Sequence, residues 1–281
     1  LMRRIAAALL VSLFLVHLIS ASVLNPDEET NPIPLEEISL ISYVSSSQYL
    51  WHQNVGGSNS DNVRGMDVDD QGNIYVCGNY HQIANFGQLS TPSSSSSSSD
   101  IFVAKLSSTG DWLWVKTAGS TSSDYCYDID VDAGGNVSIT GIFFNSISFG
   151  STSFSSSGSY DAYVAVLDTM GNWLWAQKIG ASSSDYAHGV AIADSGNVYV
   201  TGYWSSGTLS FGSAGSLSCS SCYSDAYIAS LDSQGNWRWA QGIGGSYYER
   251  GRGVAVDAQE RVYVTGEFSY QVDFGSSSQY N

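Results

Sequence analysis

Short apolar runs alternate with turns of Gly, Asn, Asp and Ser along most of this chain. Typical runs are GVAVD, NVYVTG, DAYVAVLD and NWLWAQ. Runs of Val, Ile, Tyr and Trp bounded by such turn residues are typical of β-strands. Apolar side chains occupy both the odd and the even positions of a run, as in Val198, Tyr199 and Val200. Since successive residues of a strand point to opposite faces, this predicts sheets packed on both faces. The pattern therefore predicts an all-β protein.

The runs recur in a fixed order with a period of about 63 residues. Two anchors, the second Trp of a Trp-x-Trp pair and the glycine that ends NVYVTG, are each spaced by 63, 61 and 64 residues. The anchors are Trp114, Trp175 and Trp239, with Trp51 as a Leu-Trp version of the pair, and Gly78, Gly141, Gly202 and Gly266. A Phe-Gly pair begins at Phe86, Phe149, Phe211 and Phe274. Self-similarity at a fixed period is the signature of a repeat architecture.

Each full repeat is predicted to hold four antiparallel strands, A to D. In the first full repeat these are 65–69, 73–78, 100–107 and 111–116. A partial copy at 38–53 would supply strands C and D, and the copy that ends at 275 would supply strands A and B. Joined, the two would complete a fourth unit and remove exposed sheet edges. The alternative is a fragment of a larger assembly.

The connections between strands predict two different faces. The A–B and C–D connections read D-x-x-G-N, as in 132–136 and 168–172, which predicts tight hairpins with Gly at positive φ. Calcium binding by these acidic turns is the alternative, but the denser D-x-D-x-D-G pattern of an EF-hand loop is missing. The D–A and B–C connections are long, irregular and rich in Ser, and they share the opposite end. Binding is expected at that long-loop face.

The combination of GNVYVTG, Phe-Gly, DAYVAVLD and GNWLWAQ over residues 38–275 resembles the bacterial and archaeal family of seven-bladed β-propeller repeats. The GVAVD and GNVYV runs are also similar to NHL-type propellers. The resemblance implies a β-propeller of four-stranded antiparallel blades, with four blades if the chain closes on itself. It also implies an extracellular or surface scaffold that binds other molecules, without one shared activity.

The part before the repeats predicts export. Residues 1–22 combine Arg3 and Arg4, an apolar run and small residues, the pattern of a secretory signal peptide; an uncleaved membrane anchor is the alternative. Residues 23–37 form an acidic, Pro-containing linker, and residues 38–281 form the propeller. Its expected divisions are strands C and D of the last blade at 38–53, blades at 54–116, 117–177 and 178–241, and strands A and B of the last blade at 242–275. We therefore expect a secreted or cell-surface protein with no membrane span after cleavage.

Charge and cysteine content limit the partners. The net charge is −16, and so acidic a surface repels nucleic acid and anionic lipid. In an exported protein Cys219 and Cys222 are expected to form a local disulfide, the alternatives being a redox pair or half of a zinc site. Cys77 stands where the other repeats carry Thr140, Thr201 and Thr265, which predicts a buried small residue.

An acid precedes strand A in every repeat. The four are Asp61, Asp124, Asp185 and Glu249, and three further acids, Asp100, Asp161 and Asp225, precede strand C. Converging carboxylates could hold Ca²⁺ through their oxygens. The alternative is that they cap loop N–H groups, which their recurrence in every repeat favours. No cofactor is predicted, and Ca²⁺ at these acids is the alternative.

Residues that break the repeat symmetry on the same face are the candidate binding residues. Three positions after each acid stand Arg64, Tyr127, His188 and Arg252, and nearby stand Tyr125, Tyr186, Tyr247, Tyr248 and Arg250. Aromatic and Arg side chains around a channel mouth suit sugars or peptide side chains, the alternative being a solvated loop rim.

The sequence thus predicts a non-catalytic binding or adhesion scaffold for extracellular glycans or partner proteins. The alternative is an extracellular polysaccharide-active hydrolase or lyase, which would use paired carboxylates. Apart from the signal peptide the chain has only His52, His81 and His188, from which no Ser-His-Asp or H-E-x-x-H arrangement can be assembled. An enzyme is therefore the less favoured prediction.

Overall fold

The computed structural model describes residues 38–43, 49–94, 98–219, 223–245, 247–269, 271–273 and 278–280. The predicted signal peptide, the linker and Cys222 lie outside these ranges. Within them, no helix has the length and apolar character needed to cross a membrane.

Three complete four-stranded antiparallel blades follow one another along the chain. An N-terminal hairpin, β1 (Ile38–Tyr43) and β2 (Tyr49–Gly56), precedes them. Blade 1 contains β3 (Asn62–Val68), β4 (Ile74–His81), β7 (Ser99–Leu106) and β8 (Trp112–Ala118). Blade 2 contains β9 (Asp124–Val131), β10 (Val137–Phe149), β11 (Thr152–Leu167) and β12 (Trp173–Ile179). Blade 3 contains β13 (Asp185–Ile192), β14 (Val198–Trp204), β17 (Asp225–Leu231) and β18 (Trp237–Gly245). The predicted fold class, an all-β assembly of propeller blades, is confirmed.

The two half-repeats at the ends do not join. The C-terminal half is β19 (Glu249–Val256) paired with β20 (Val262–Phe268), and these two strands form a sheet of their own. Within the described ranges, β20 and β1 each have one neighbour, so their outer edges make no ladder with each other. The expectation of a closed four-bladed ring is therefore wrong here, because closure requires that hydrogen-bonded ladder. The structure is an open row of blades, as the alternative of a fragment predicts.

Side-chain burial shows the effect of the open end. Tyr199 and Val200 of β14 are 2% and 0% exposed, whereas their counterparts in β20, Tyr263 and Val264, are 52% and 37% exposed. β14 lies between two strands and packs against β19 of the next repeat, whereas β20 has a neighbouring strand on one side only.

The B–C connections contain small hairpins, which the sequence analysis missed by treating them as irregular loops. In blade 1 the hairpin is β5 (Asn85–Phe86) with β6 (Leu89–Ser90), and β5 also pairs with β2. In blade 2 it extends β10 and β11. In blade 3 it is β15 (Gly207–Ser210) with β16 (Ser216–Cys219), joined by a 3-10 turn at Gly212–Ala214. A last hairpin, β21 (Gln271–Asp273) with β22 (Ser278–Tyr280), pairs with β18.

These hairpins carry the Phe-Gly pairs and explain them. The Phe ring meets the first Trp of the Trp-x-Trp pair edge-on within the same repeat. The three pairs are Phe86–Trp112, Phe149–Trp173 and Phe211–Trp237, with ring centroids 4.9, 5.0 and 4.9 Å apart.

The D-x-x-G-N sequences form the predicted tight turns. In the A–B turn of blade 2, Asp132 Oδ1 accepts the Asn136 backbone N–H at 2.8 Å, and Asp132 Oδ2 accepts its side-chain amide at 2.8 Å. Gly135 adopts φ 83°, which favours glycine. The carboxylates of these turns are occupied by donors of the turn itself, which agrees with the structural alternative.

The second Trp of each pair binds the next blade. Its indole N–H donates to a carbonyl in the C–D turn of the following repeat: Trp51 to Ser108 at 3.2 Å, Trp114 to Thr169 at 3.1 Å, and Trp175 to Ser233 at 3.1 Å. A glycine of the same turn lies against the ring; at Gly235 a Cβ would come within 2.7 Å of Trp175. The 63-residue period therefore sets the spacing of one inter-blade contact.

Neighbouring A strands are also bonded to each other through aspartates. Asp67 Oδ2 accepts the Val131 N–H at 2.8 Å, linking β3 to β9. Asp128 and Asp130 of β9 accept the N–H groups of Val190 and Ile192 of β13 at 2.9 and 2.7 Å. Side-chain to backbone bonds thus take the place of a sheet ladder between blades.

A disulfide joins blades 1 and 2. It connects Cys77 of β4 to Cys126 of β9, with the Cα atoms 6.1 Å apart and a sequence separation of 49. Cys77 is 0% exposed, which confirms the prediction of a buried small residue, but its cross-link to Cys126 was not predicted. The pairing was missed because the two cysteines occupy different positions of different repeats: Cys126 lies in strand A and Cys77 in strand B. Cys219 is disulfide-bonded as well.

Candidate functional site

The four candidate residues that break the symmetry share one local structure. Each strand A has a β-bulge opposite strand B, and the extra residue of the bulge is the variable one. The bulged residues are Arg64 in β3, Tyr127 in β9, His188 in β13 and Arg252 in β19. A bulge leaves one residue out of the ladder and redirects its side chain. The same backbone feature therefore presents a different side chain in every repeat.

The glycine that ends NVYVTG makes the bulge possible. A Cβ on Gly141 or Gly202 would overlap the carbonyl oxygen of Tyr125 or Tyr186 in the neighbouring strand A. That carbonyl also accepts a hydrogen bond from a buried tyrosine of strand C. Tyr163 donates to Tyr125 at 3.2 Å in blade 2, and in blade 3 Tyr227 donates to Tyr186 at 3.0 Å.

Four rings from blades 2 and 3 stack at these bulges. Tyr127 lies over His188 with centroids 5.2 Å apart and planes 16° apart. His188 in turn lies against Tyr186 at 6.0 Å and Tyr203 at 5.6 Å. Tyr186 and Tyr203 stack at 4.7 Å. The near-parallel planes form a continuous aromatic layer across the blade boundary.

Two arginines of β19 border the stack. Arg252 Nη2 contacts Glu267 Oε1 at 2.6 Å, and Arg250 Nη1 reaches the same oxygen at 3.4 Å. The Arg250 guanidinium also lies over the Tyr203 ring, 5.0 Å from its centroid, and over Tyr248 at 5.4 Å. Two guanidinium groups thus share the single carboxylate of Glu267. These three side chains together carry a net positive charge, although the protein as a whole is acidic.

His188 is held in its neutral form by these neighbours. Burial, Arg252 and then Arg250 lower the pKa of His188 to about 4. The Nε2 atom lies 3.2 Å from Arg252 Nη1. Since the guanidinium can only donate, the neutral imidazole accepts at Nε2. His188 therefore orients Arg252 rather than titrating near neutral pH.

Three tyrosines extend the surface toward solvent. Tyr223, Tyr247 and Tyr248 are 59%, 41% and 44% exposed. Their rings stack, with Tyr223 6.1 Å from Tyr247 and 5.0 Å from Tyr248. We call the combined surface the tyrosine–arginine cluster. Its members are Tyr127, Tyr186, His188, Tyr203, Tyr223, Tyr247, Tyr248, Arg250, Arg252 and Glu267.

The cluster contains most of the predicted binding residues. Tyr127, Tyr186, His188, Tyr248, Arg250 and Arg252 come together in it. Arg64 lies near enough to Tyr127 to oppose the rise of its pKa, so it borders the cluster. Tyr125 interacts electrostatically with Tyr127, and its backbone carbonyl accepts the hydrogen bond from Tyr163 beside the bulge.

Sequence reasoning missed Tyr203, Tyr223 and Glu267. Tyr203 and Glu267 both follow the glycine that ends strand B, where blades 1 and 2 carry Asn79 and Ile142. The position varies between repeats like the bulge position, so the same symmetry argument would have found it.

The acids before strand A do not form one metal group. They are distributed one per repeat, and among the described residues no three His, Cys, Asp or Glu side chains lie together in a metal-binding arrangement. Asp61 accepts the Gly57 N–H at 2.7 Å and the His81 N–H at 3.0 Å, and Asp185 accepts the Ala181 N–H at 2.5 Å. These contacts of Asp61 and Asp185 are those of loop caps. Both carboxylate oxygens of Asp124 and of Glu249, in contrast, are buried without a hydrogen bond of good geometry.

Two shallow depressions lie away from the cluster. One, about 260 Å³, is lined by Trp173, Trp175 and Lys116 between two D strands. The other, about 530 Å³, lies beside Gly57 and Gln82. Neither collects the charged and aromatic side chains that meet at the bulges, so we place the candidate site on the tyrosine–arginine cluster.

Comparison with known proteins agrees with this architecture. Residues 50–79 and 174–203 match the sequence model of a family described as "Beta-propeller repeat". Each matched segment runs from strand D of one blade through strands A and B of the next. Two stretches of the chain thus match the β-propeller repeat, in agreement with the four-stranded blades of the structure.

Two curated relatives match at low identity. The chain is 24% identical to "Uncharacterized WD repeat-containing protein L264" of Acanthamoeba polyphaga mimivirus, over 60% of this chain and 14% of that protein. It is 25% identical to "Regulatory protein FlaEY" of Caulobacter vibrioides, over 56% of this chain and 17% of that protein. The chain therefore spans less than a fifth of the length of these relatives.

Proposed function

We propose that this protein is a non-catalytic binding scaffold that holds glycans on its tyrosine–arginine cluster. The observation that supports the proposal most is the exposed, stacked set Tyr223, Tyr247 and Tyr248 beside the guanidinium of Arg250. Exposed apolar rings on a soluble surface are costly unless they serve an interaction. Tyr and Arg are also the residues that most often dominate binding energy at interfaces.

The chemistry of the cluster suits a sugar. The apolar face of a pyranose ring can stack on a Tyr ring, and its hydroxyl or carboxylate groups can take hydrogen bonds from a guanidinium. Arg250 and Arg252 share the single carboxylate of Glu267, so a negatively charged sugar would complete the charge balance. Glycans that carry carboxylates are therefore the preferred class.

Catalysis by the acids before strand A finds little support. Asp124 and Asp185 are both 0% exposed. A glycoside hydrolase needs two carboxyl groups that flank a bond of the bound substrate, which requires access to both. Buried carboxyls beside loop backbone do not meet that requirement.

Export of the protein is part of the proposal. The disulfide between Cys77 and Cys126 supports an oxidising compartment, where such bonds persist. The predicted signal peptide at 1–22 points the same way. Mass analysis of protein secreted by a heterologous host would test cleavage after residue 22.

A glycan array, followed by calorimetry on any hit, tests the binding proposal. We expect Tyr248→Ala and Arg252→Ala each to weaken binding about tenfold or more, the loss typical of hot-spot residues. Tyr263→Ala is the matched control, since Tyr263 is similarly exposed but lies outside the cluster. Equal loss in all three variants, or binding only to a protein partner on a parallel array, would contradict the glycan proposal.

A further inference from the structure

A pair of carboxyl groups recurs at each junction between consecutive repeats. One acid comes from the start of strand C and the other from the start of the next strand A. The pairs are Asp100–Asp124, Asp161–Asp185 and Asp225–Glu249. In each pair burial raises the pKa of the second carboxyl, and the first carboxyl raises it further. Two buried carboxyl groups this close cannot both stay ionised without a cationic partner.

At the second junction the protein supplies that partner itself. The Lys178 ammonium lies 3.3 Å from Asp161 Oδ2, and it also donates to the Ser155 carbonyl at 3.0 Å and to the Ser157 hydroxyl at 2.6 Å. Asp161 further accepts the Ser157 N–H at 2.7 Å. A cation surrounded by carboxylate, carbonyl and hydroxyl oxygens is thus part of this junction.

The first junction has the same acids without the lysine. Strand register places Lys178 opposite Tyr163, and the equivalent pairing in blade 1 places Thr117 opposite Phe102. The side chain of Thr117 ends far short of a lysine's ammonium and carries no charge. Hence the position that Lys178 fills between strands C and D has no cationic side chain at the first junction.

The first junction leaves buried carboxylate oxygens without hydrogen-bond partners. Asp124 is 0% exposed, and both of its carboxylate oxygens lack a hydrogen bond of good geometry. The Ser120 and Phe144 backbones and the Ser120 hydroxyl approach it without meeting that geometry. Asp100 Oδ1 is likewise buried and unpaired. At the second junction only Asp185 Oδ1 is left in this state. The third junction, where Gly242 stands opposite Tyr227, resembles the first, with Asp225 Oδ1 and both Glu249 oxygens unpaired.

We propose that the first junction binds a divalent cation, Ca²⁺, between Asp100 and Asp124, in the role that the Lys178 ammonium has at the second. Two carboxylates supply up to four oxygens, and Ca²⁺ completes its shell readily with backbone carbonyls and water. The Ser-rich loop at 119–123 lies between the two acids in sequence, and Gly119 packs so closely on Asp100 that a Cβ there would overlap its carboxylate. The cation would fasten blade 1 to blade 2 on the long-loop face.

Thermal unfolding of the whole chain at neutral pH tests the proposal. We expect millimolar Ca²⁺ to raise the Tm above its value in chelator, since a ligand that binds only the folded state stabilises it. A dissociation constant of about 10⁻⁴ to 10⁻³ M is the range of extracellular calcium modules. Terbium luminescence, competed by Ca²⁺, provides a second reading that does not depend on stability.

Three variants decide the location. Asp100→Asn and Asp124→Asn should each abolish the calcium response and the terbium signal. Thr117→Lys, which copies the arrangement at Lys178, should raise the Tm in chelator and remove the response to Ca²⁺. The proposal is overturned if wild-type protein melts at the same temperature in Ca²⁺ and in chelator and gives no terbium signal. A calcium response retained in both Asn variants would overturn it equally. A higher Tm for Asp124→Asn with no metal effect would also overturn it, and would indicate that the carboxyl groups of Asp100 and Asp124 share a proton instead.

Discussion

The indole N–H of Trp175 in blade 2 donates to the carbonyl of Ser233 in blade 3 across 3.1 Å, and the ring covers Gly235 of the same turn. The side chain that marks the repeat in sequence is thus the one that holds the next repeat in place. Each repeat is stabilised by its neighbour, as expected for repeat proteins whose units contact mainly adjacent units.

Trp175→Ala should destabilise the protein by about 3–5 kcal/mol, the usual loss for a large core aromatic. Trp239 occupies the same position in the last complete blade but is 36% exposed, because no described turn follows it there. Trp239→Ala should therefore cost much less. Urea unfolding of both variants measures the difference, and equal losses would show that the inter-blade contact contributes little.

Loss of the Cys77–Cys126 disulfide should cost about 4 kcal/mol, from the chain entropy of a loop of this length. Cys77→Ser and Cys126→Ser should each show this loss, and the double variant should be no less stable than either. Unfolding with and without reductant gives the same quantity in the wild-type protein. A loss in the double variant equal to the sum of both single losses would mean that the two thiols act separately.

Gly202→Ala should destabilise the third blade by about 2 kcal/mol or more, because the added methyl would overlap the Tyr186 carbonyl oxygen at the bulge. The variant should also weaken ligand binding by displacing His188. Gly242→Ala is the control, since a Cβ there would make an ordinary contact 3.4 Å from Trp204. Similar melting temperatures for the two variants would show that the bulge tolerates a side chain.

Asp128 should make stability fall as pH rises. Burial raises the pKa of Asp128 to about 7, whereas an Asp in an unfolded chain titrates near about 3.9. The folded state therefore holds the proton more tightly, and the contribution of Asp128 is complete below about pH 4 and is lost as pH rises to about 7. Burial and then Asp67 on β3 raise the pKa of Asp130 in the same direction.

Asp128→Asn removes this titration while keeping an oxygen for the Val190 N–H. We expect the variant to gain stability relative to wild type between pH 5 and pH 8, measured by unfolding at each pH. Asp232→Asn is the opposite control: hydrogen bonds from the Asn236 side chain and backbone lower the pKa of Asp232, so its carboxylate stabilises above its unfolded pKa. A difference between Asp128→Asn and wild type that does not change with pH would contradict the assignment.

The repeat, the strands and the turns could be read from the sequence because each rests on local chemistry. Asp132 and Gly135 define a turn within five residues, and the spacing of the Trp and Gly anchors defines the unit. The variable residues Tyr127, His188 and Arg252 could also be found, because aligning the repeats shows which positions differ from one repeat to the next.

The arrangement of these residues in space was decided by the tertiary structure. The Cys77–Cys126 bond, the stacking of Tyr203 on Tyr186 and the junction of Asp100 with Asp124 all join different strands or blades, and their partners are set by sheet register and blade packing. Local pattern also could not decide whether the ends close. The half-repeats at 38–53 and 249–268 have the right residues to pair, yet among the described residues β20 pairs only with β19. Periodicity determines the unit, whereas long-range packing determines which units meet.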